Sequence, residues 1–383
     1  MLHQNIVFHS LLKHVPWHKL EQIVEEHGAD ELSRKLKTKR HLIALLYGQF
    51  SGASGLREIV NGMASHETRL YHLGAAPVKR STVSDANTAR PWQVFSELFA
   101  EMLKQAHGGL RRKAGEAVRL IDSTSLRLSS LSAEWATFST GVCGVKVHVV
   151  YDPNVDRPVY FAVTPSKVND ITAAKAMPIE AGATQVFDLG FYDFGWWAEL
   201  DDAGCRFVTR LKKNTPFTVV SENRVPKNSN ILSDRIGYLP ERLANSRKNP
   251  LQVPVRELQV IIETGKMLRI VTNDLDAPAE EIADLYKQRW QIELFFRWIK
   301  QMLRIKRFIG VSENAVRIQI AVALIAFLIL RMAQAAQEAV HKSLDFARLV
   351  RANLMHKRRI DRLLEPLQPL EANLNQLKLG LYF

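Results

Sequence analysis

Leu285-Tyr286-Lys287-Gln288-Arg289-Trp290-Gln291-Ile292-Glu293-Leu294-Phe295-Phe296-Arg297-Trp298-Ile299-Lys300 reads as one α-helix with two unlike faces. With Tyr286 at zero and about 100° per residue, Arg289 falls at about 300°, Glu293 at about 340°, Arg297 at about 20° and Lys300 at about 320°. Ile292, Phe295, Phe296, Ile299 and Leu303 cluster on a separate arc, at roughly 180–280°. The helix therefore docks by its apolar side and presents Tyr, Arg, Glu, Arg and Lys together. A single acid among cations suits a metal-dependent site for a phosphodiester: the acid holds the metal and the cations hold phosphates.

Two more acids fit this reading. Asp122 lies in Val118-Arg119-Leu120-Ile121-Asp122-Ser123-Thr124-Ser125, a β-run, where an acid is costly to bury without compensation. Period-two alternation puts Val118, Leu120, Asp122 and Thr124 on one face. Asp188 closes the run Gln185-Val186-Phe187, at the C-terminal edge where open α/β sheets carry their sites, and Gly190 lets the chain turn there. Three converging carboxylates repel one another, and divalent cations relieve that repulsion.

The rest of the chain supplies a frame. Residues 1–110 carry helical spacing at 11–24, 30–36, 40–50 and 56–63, with Ser51-Gly52-Ala53-Ser54-Gly55 breaking the last two apart. That pair reads either as a helix-turn-helix on duplex DNA or as an ordinary turn of a helical domain. Ser84 or Asp85 is a candidate cap for a helix over 93–106, and the boundary falls at Gly108-Gly109. From 115 to 212 the order is three strands, helix, strand, helix, strand, which makes a mixed α/β sheet. Residues 213–273, with Pro216, Pro226, Pro240, Pro250 and Pro254, read as a β-rich insertion. Residues 276–335 hold the Glu293 helix, running to about residue 305, and an apolar helix over 318–332; 336–383 read as a basic tail.

Bulk properties narrow the class. The chain has 383 residues and a net charge of +13, and residues 286–383 carry 17 Lys and Arg against 7 Asp and Glu. That concentration of positive charge points to a polyanion. Cys143 and Cys205 lack zinc-ligand spacing, and a reducing cytoplasm is expected. The first residues show no signal peptide, and the apolar stretch 320–330 is short for a bilayer, so no membrane partner is expected.

The spacing of Tyr286, Arg289, Glu293 and Lys300, behind an Asp-Ser-Thr run at Asp122 and an Asp-x-Gly-aromatic run at Asp188, resembles the Tyr-Arg-Glu-Lys signature of the insertion-sequence-four family of bacterial DDE transposases. The likeness covers roughly 115–335; Leu2-His3-Gln4-Asn5 and residues 81–87 are similar to the leading helical domain of some members. It implies an RNase H-like mixed sheet flanked by helices and interrupted by the β-rich insertion, after an N-terminal helical DNA-binding domain. It implies Asp122, Asp188 and Glu293 as catalytic metal ligands for Mg²⁺, with Mn²⁺ able to substitute. Tyr286, Arg289 and Lys300 become contacts to DNA phosphates, and Arg297 shares their stripe. Leu189 departs from the pattern, since many relatives carry Arg there.

Family members excise DNA through a hairpinned end with a base flipped onto aromatic residues. Trp290 and Trp298, at about 40° and 120°, are assigned here to the core. Lys146 and His148 either face the side of the sheet bearing Asp122 or face solvent. The implied partners are double-stranded DNA, as terminal inverted repeats and target, and a second copy on paired ends, in the nucleoid-associated cytoplasm. The same residues admit two rivals: an RNase H-like nuclease without strand transfer, and a non-catalytic DNA-binding protein derived from a transposase.

Overall fold

The computed structural model describes residues 6–31, 33–107, 117–139, 142–225, 229–242, 248–302 and 308–365. Residues 2–5, 108–113, 226, 303–305 and 366–383, which carry several of the expectations above, lie outside the described residues. Proline and glycine set the limits of the first helices. α1 (Val7–Leu12) and α2 (Trp17–Glu26) replace the single helix expected over 11–24, because Pro16 interrupts one and starts the other. α3 (Thr38–Ser51) ends at Gly52, whose φ of 74° is a left-handed cap. The described residues of the helix expected over 30–36 form turns and bends instead: Asp30 accepts the N–H and hydroxyl of Thr38 at the start of α3. α4 (Leu56–Ala64), α5 (Glu67–Leu70), α6 (Arg80–Ala89) and α7 (Gln93–His107) follow. Ser84 and Asp85 lie inside α6 and do not cap α7. α3 is buried from His41 to Gly48 and exposes Arg40 near its start, while α4, after the small-residue turn, exposes Arg57, Glu58 and Asn61.

The sheet is built on β1 (Val118–Leu128), whose first four residues are buried on both faces. After the short helix α8 (Ala133–Ala136) come β2 (Thr137–Ser139), β3 (Val142–Asp152) and β4 (Arg157–Pro165). β3 pairs antiparallel with β1, β2 and β4. α9 (Asp170–Lys175), β5 (Thr184–Phe187), α10 (Phe194–Asp202) and β6 (Arg206–Arg210) complete the alternation, with β5 parallel to both β1 and β6. The order β4-β3-β1-β5-β6, three antiparallel strands and then two parallel ones, is RNase H-like. Val118, Leu120 and Val186 enter one apolar cluster, and Ile121 and Phe187 enter the other with α10.

The β-rich run contains β7 (Thr218–Glu222), β8 (Ile231–Tyr238), β9 (Val255–Ile261) and β10 (Met267–Thr272). It does not stand apart. β10 pairs with β6, so these strands prolong the core sheet in the order β6-β10-β9-β8-β7. Buried charge pairs hold them: Glu257, with 0 % exposure, meets Arg235 at 2.6 Å and also Arg269, and Asp234 takes Arg256 at 2.6 and 2.8 Å.

The expected long helix is two, α11 (Ala279–Gln288) and α12 (Trp290–Met302). The break is one residue wide. Arg289 N–H bonds to the Tyr286 carbonyl and Ile292 N–H to the Arg289 carbonyl, a tighter three-residue turn that leaves the stripe nearly in line. α13 (Glu313–Ala335), capped by Ser312, is long and apolar enough to cross a bilayer, yet it is buried in one apolar cluster with α3, α7 and the sheet. The Asn314 amide donates to the Asn87 and Arg90 carbonyls at 2.9 and 2.7 Å, tying α6 to the start of α13. Part of the expected basic tail is folded: α14 (Ser343–Asn353) packs on α3 and α13 through Phe346, Ala347 and Val350.

Candidate active site

Strand register positions the two aspartates. Leu120 pairs with Val186 and Ile121 with Phe187 in parallel β1 and β5, so Asp122 and Asp188 come next in the same pair of strands. By alternation both side chains fall on the face shared by Leu120 and Val186, which is the face under α12. Each carboxylate is steadied locally. Ser123 N–H donates to Asp122 Oδ1 at 2.7 Å, and Gly190 N–H donates to Asp188 Oδ1 at 2.7 Å. Gly190 has no left-handed backbone; it is small because a Cβ there would stand 3.0 Å from Asp188 Oδ1.

α12 reaches this face through Ile292, Phe295, Phe296 and Ile299, all buried, with the Phe295 ring 5.0 Å from that of Tyr151 on β3 and tilted 41° to it. Docking by that side turns Glu293 toward the aspartates, with Arg289 lodged among the acids. Its guanidinium is 2.7 Å from Glu293 and 3.7 Å from Asp122. Burial pushes the Asp122 carboxyl up to about 7; the Ser123 N–H pulls it down, Asp188 and Glu293 push it up, and Arg289 opposes them. Asp122 thus feels the charge of both other acids, and the site calls for positive charge.

All the donors are carboxylate oxygens, which suits a hard divalent cation such as Mg²⁺. Among the described residues, no three His, Cys, Asp or Glu side chains stand close enough to grip an ion as they are. The positive charge among the acids here is that of Arg289.

The other expected site residues divide. Tyr286 is 7 % exposed, with Arg210 and Arg289 over its ring at 6.0 and 5.8 Å, so it lines the site from inside. Arg297 is exposed and Lys300 half-buried on α12. Trp298 packs edge-on against Phe327, as expected of core, but Trp290 is 50 % exposed and is not core. Both cysteines are free and buried.

Lys146 and His148 match neither expectation. They pair with Ser125 and Ser123, so they lie on the sheet face opposite Asp122, and His148 is wholly buried. Both approach Asp170, at 3.2 and 3.6 Å, and Ser123 Oγ donates to the same Asp170 oxygen at 2.7 Å. Asp170 carries little signal in the sequence: its only local sign is an acid opening a short helix, which ordinarily caps.

The family described as transposase DDE domain matches residues 113–329, and a domain of unknown function matches residues 3–76. A Sinorhizobium fredii protein named as a transposase, y4zB, is 40% identical over 278 residues, 73% of this chain and 78% of its own length. A Geobacillus stearothermophilus protein named as a transposase for insertion sequence element IS5377 is 29% identical over 80% of this chain and 84% of its own. A Synechocystis protein named for element IS4SA is 28% identical over 75% of this chain and 81% of its own.

Proposed function

The chain belongs to the transposase DDE domain family, as a transposase of a bacterial insertion sequence, and we propose that Asp122, Asp188 and Glu293 are the acids with which it cuts transposon ends and joins them to target DNA. What carries this reading is the strand register that sets Asp122 beside Asp188 under the Glu293 face of α12. Magnesium ions held by the three acids, or manganese in their place, would supply an activated water or hydroxyl and neutralise the leaving oxygen.

The chain's own residues do the rest. Asp122, Asp188 and Glu293 orient through the Ser123 and Gly190 N–H groups and α12. Arg289 is the cation of the cluster, and it passes from the acids to a phosphate oxygen as DNA enters; its planar fork suits both partners. Arg297 and Lys300 hold the backbone of the terminal repeat further along α12, and Tyr286 supports Arg289 from behind. In the reaction we infer, water first opens the end and frees its 3′-hydroxyl; that hydroxyl attacks a phosphodiester of the partner strand, closing a hairpin and releasing the 3′-hydroxyl of the flanking DNA; a second water reopens the hairpin and regenerates the 3′-hydroxyl, which then attacks the target and releases a target 3′-hydroxyl. The N-terminal helices 1–110 grip duplex DNA, two copies pair two ends, and the protein works at the nucleoid in the cytoplasm.

The test is Glu293→Gln with labelled terminal-repeat DNA and Mg²⁺. End cleavage and joined donor–target products should both vanish while gel-shift binding persists. Cleavage at the wild-type rate would sink the assignment, and hydrolysis by the wild type without joined products would mean a nuclease.

A further inference from the structure

We propose that Asp170, on the far side of the sheet from the three acids, is a positioning residue that fixes Asp122 and Asp188 relative to each other. The inference rests on the reading of those two residues as metal-binding acids.

One carboxylate bonds the residue after Asp122 and lies beside the glycine two residues after Asp188. Asp170 Oδ1 accepts the Ser123 hydroxyl at 2.7 Å, and the N–H of that same Ser123 holds Asp122 Oδ1 at 2.7 Å. On the other strand, a Cβ built on Gly190 would lie 3.4 Å from Asp170 Oδ2 and 3.0 Å from Asp188 Oδ1, so Gly190 is flanked by both carboxylates. Gly190 N–H holds Asp188 Oδ1 in turn. Asp170 is thus one hydrogen-bonded residue removed from Asp122 through Ser123, and its other oxygen borders the glycine whose N–H holds Asp188.

A second observation is that the side-chain partners of this carboxylate lie on the sheet. The cap position of α9 is Asn169, which makes no side-chain cap bond, and the polar partners of Asp170 come from β1 and β3. β3 commits two side chains to it. Lys146 Nζ stands 3.2 Å away and is anchored on the Val168 carbonyl. The His148 side chain has 0 % exposure, its Nε2 meets the Thr164 hydroxyl at 2.8 Å, and its Nδ1 has no hydrogen bond and faces Asp170 from 3.6 Å. A buried imidazole and a partly buried ammonium turned on one carboxylate cost desolvation that a loop acid does not require. Groups that orient the ligands of a metal in this way are typically worth about 10–100-fold in metal affinity.

The experiment compares the wild type with Asp170→Ala, Asp170→Asn and Ser123→Ala in the full chain. Calorimetric titration with Mn²⁺ alone reads metal binding without turnover, and end cleavage against Mg²⁺ concentration reads half-saturation. Melting and gel-shift binding in EDTA report on fold and DNA affinity. Asp170→Ala and Ser123→Ala should each weaken Mn²⁺ binding and raise half-saturating Mg²⁺ by about 10–100-fold, with cleavage returning at saturating metal and end binding unchanged. Asp170→Asn, which can still accept the Ser123 hydroxyl, should fall between Ala and wild type. Wild-type Mn²⁺ affinity in both Ala variants overturns the proposal, as does cleavage lost at every Mg²⁺ concentration in step with a lowered melting point. Glu293→Gln separates the two readings. If it still cleaves, the acid assignment itself is wrong; if it is dead while the Asp170 and Ser123 variants titrate as wild type, this inference alone fails.

Discussion

Replacing Asp122 by Asn should stabilise the protein wherever the acid would be charged, and nowhere else. The carboxyl is raised from its ordinary 3.8 to about 7 in the fold. Between those values the folded chain keeps a proton that the unfolded chain has released. Unfolding therefore gives up a proton, and stability falls as pH rises from about 4 to about 7, with the whole penalty present above that. Roughly three pH units at about 1.4 kcal/mol each set an upper figure of about 4 kcal/mol. The side chain is 17 % exposed and shares its charge with Arg289, so about 2–4 kcal/mol is expected. The amide retains an oxygen for the Ser123 N–H, so that bond is not lost. Unfolding entropy for a chain of this length is about 0.8 kcal/mol/K, which converts the gain to about 3–5 °C. Scanning calorimetry in EDTA should find the Asp122→Asn variant and the wild type melting together near pH 4 and the variant higher by that amount at pH 8. Saturating Mg²⁺ should close the gap by stabilising only the wild type. A variant that melts no higher at pH 8, or an offset that ignores pH, refutes the view that these acids strain the fold.

Two other outcomes follow from charges elsewhere. Glu257→Gln leaves Arg235 and Arg269 facing a neutral amide in a fully buried position and should cost about 3–5 kcal/mol, read from urea midpoints; an unchanged midpoint would mean the pair of arginines finds other partners. Arg297→Ala removes one exposed cation from α12 and should lower the slope of end binding against log salt by about 1 with no change in melting; an unaltered slope removes Arg297 from the DNA path.

The parts of this fold that were legible are those with a regular period. Alternation alone placed Asp122 on the face of Leu120, and helical spacing alone separated Glu293 from Ile292, Phe295 and Ile299. Within the β-rich insertion β8 is the strand the sequence hides, since its run, Ile231 to Tyr238, carries Asp234 and Arg235, charges that look like loop until Arg256 and Glu257 on β9 are seen to answer them. Arg289 was expected to face only DNA; that it also bridges Asp122 and Glu293 depends on how α12 lands on β1, which no spacing along one segment encodes. Asp170 was invisible for the same reason. Its partners come from separate strands and a turn, and only the assembled sheet brings them together.

α13 serves as common flooring for the N-terminal helices and for the catalytic sheet, and it arrives late in the chain. A ribosome that has made the first three hundred residues has therefore made every acid of the site and still lacks the piece on which both halves rest. Copies cut short before residue 313 would yield no folded remnant able to occupy transposon ends and obstruct the intact enzyme. Premature termination in this protein should act as simple loss and not as interference.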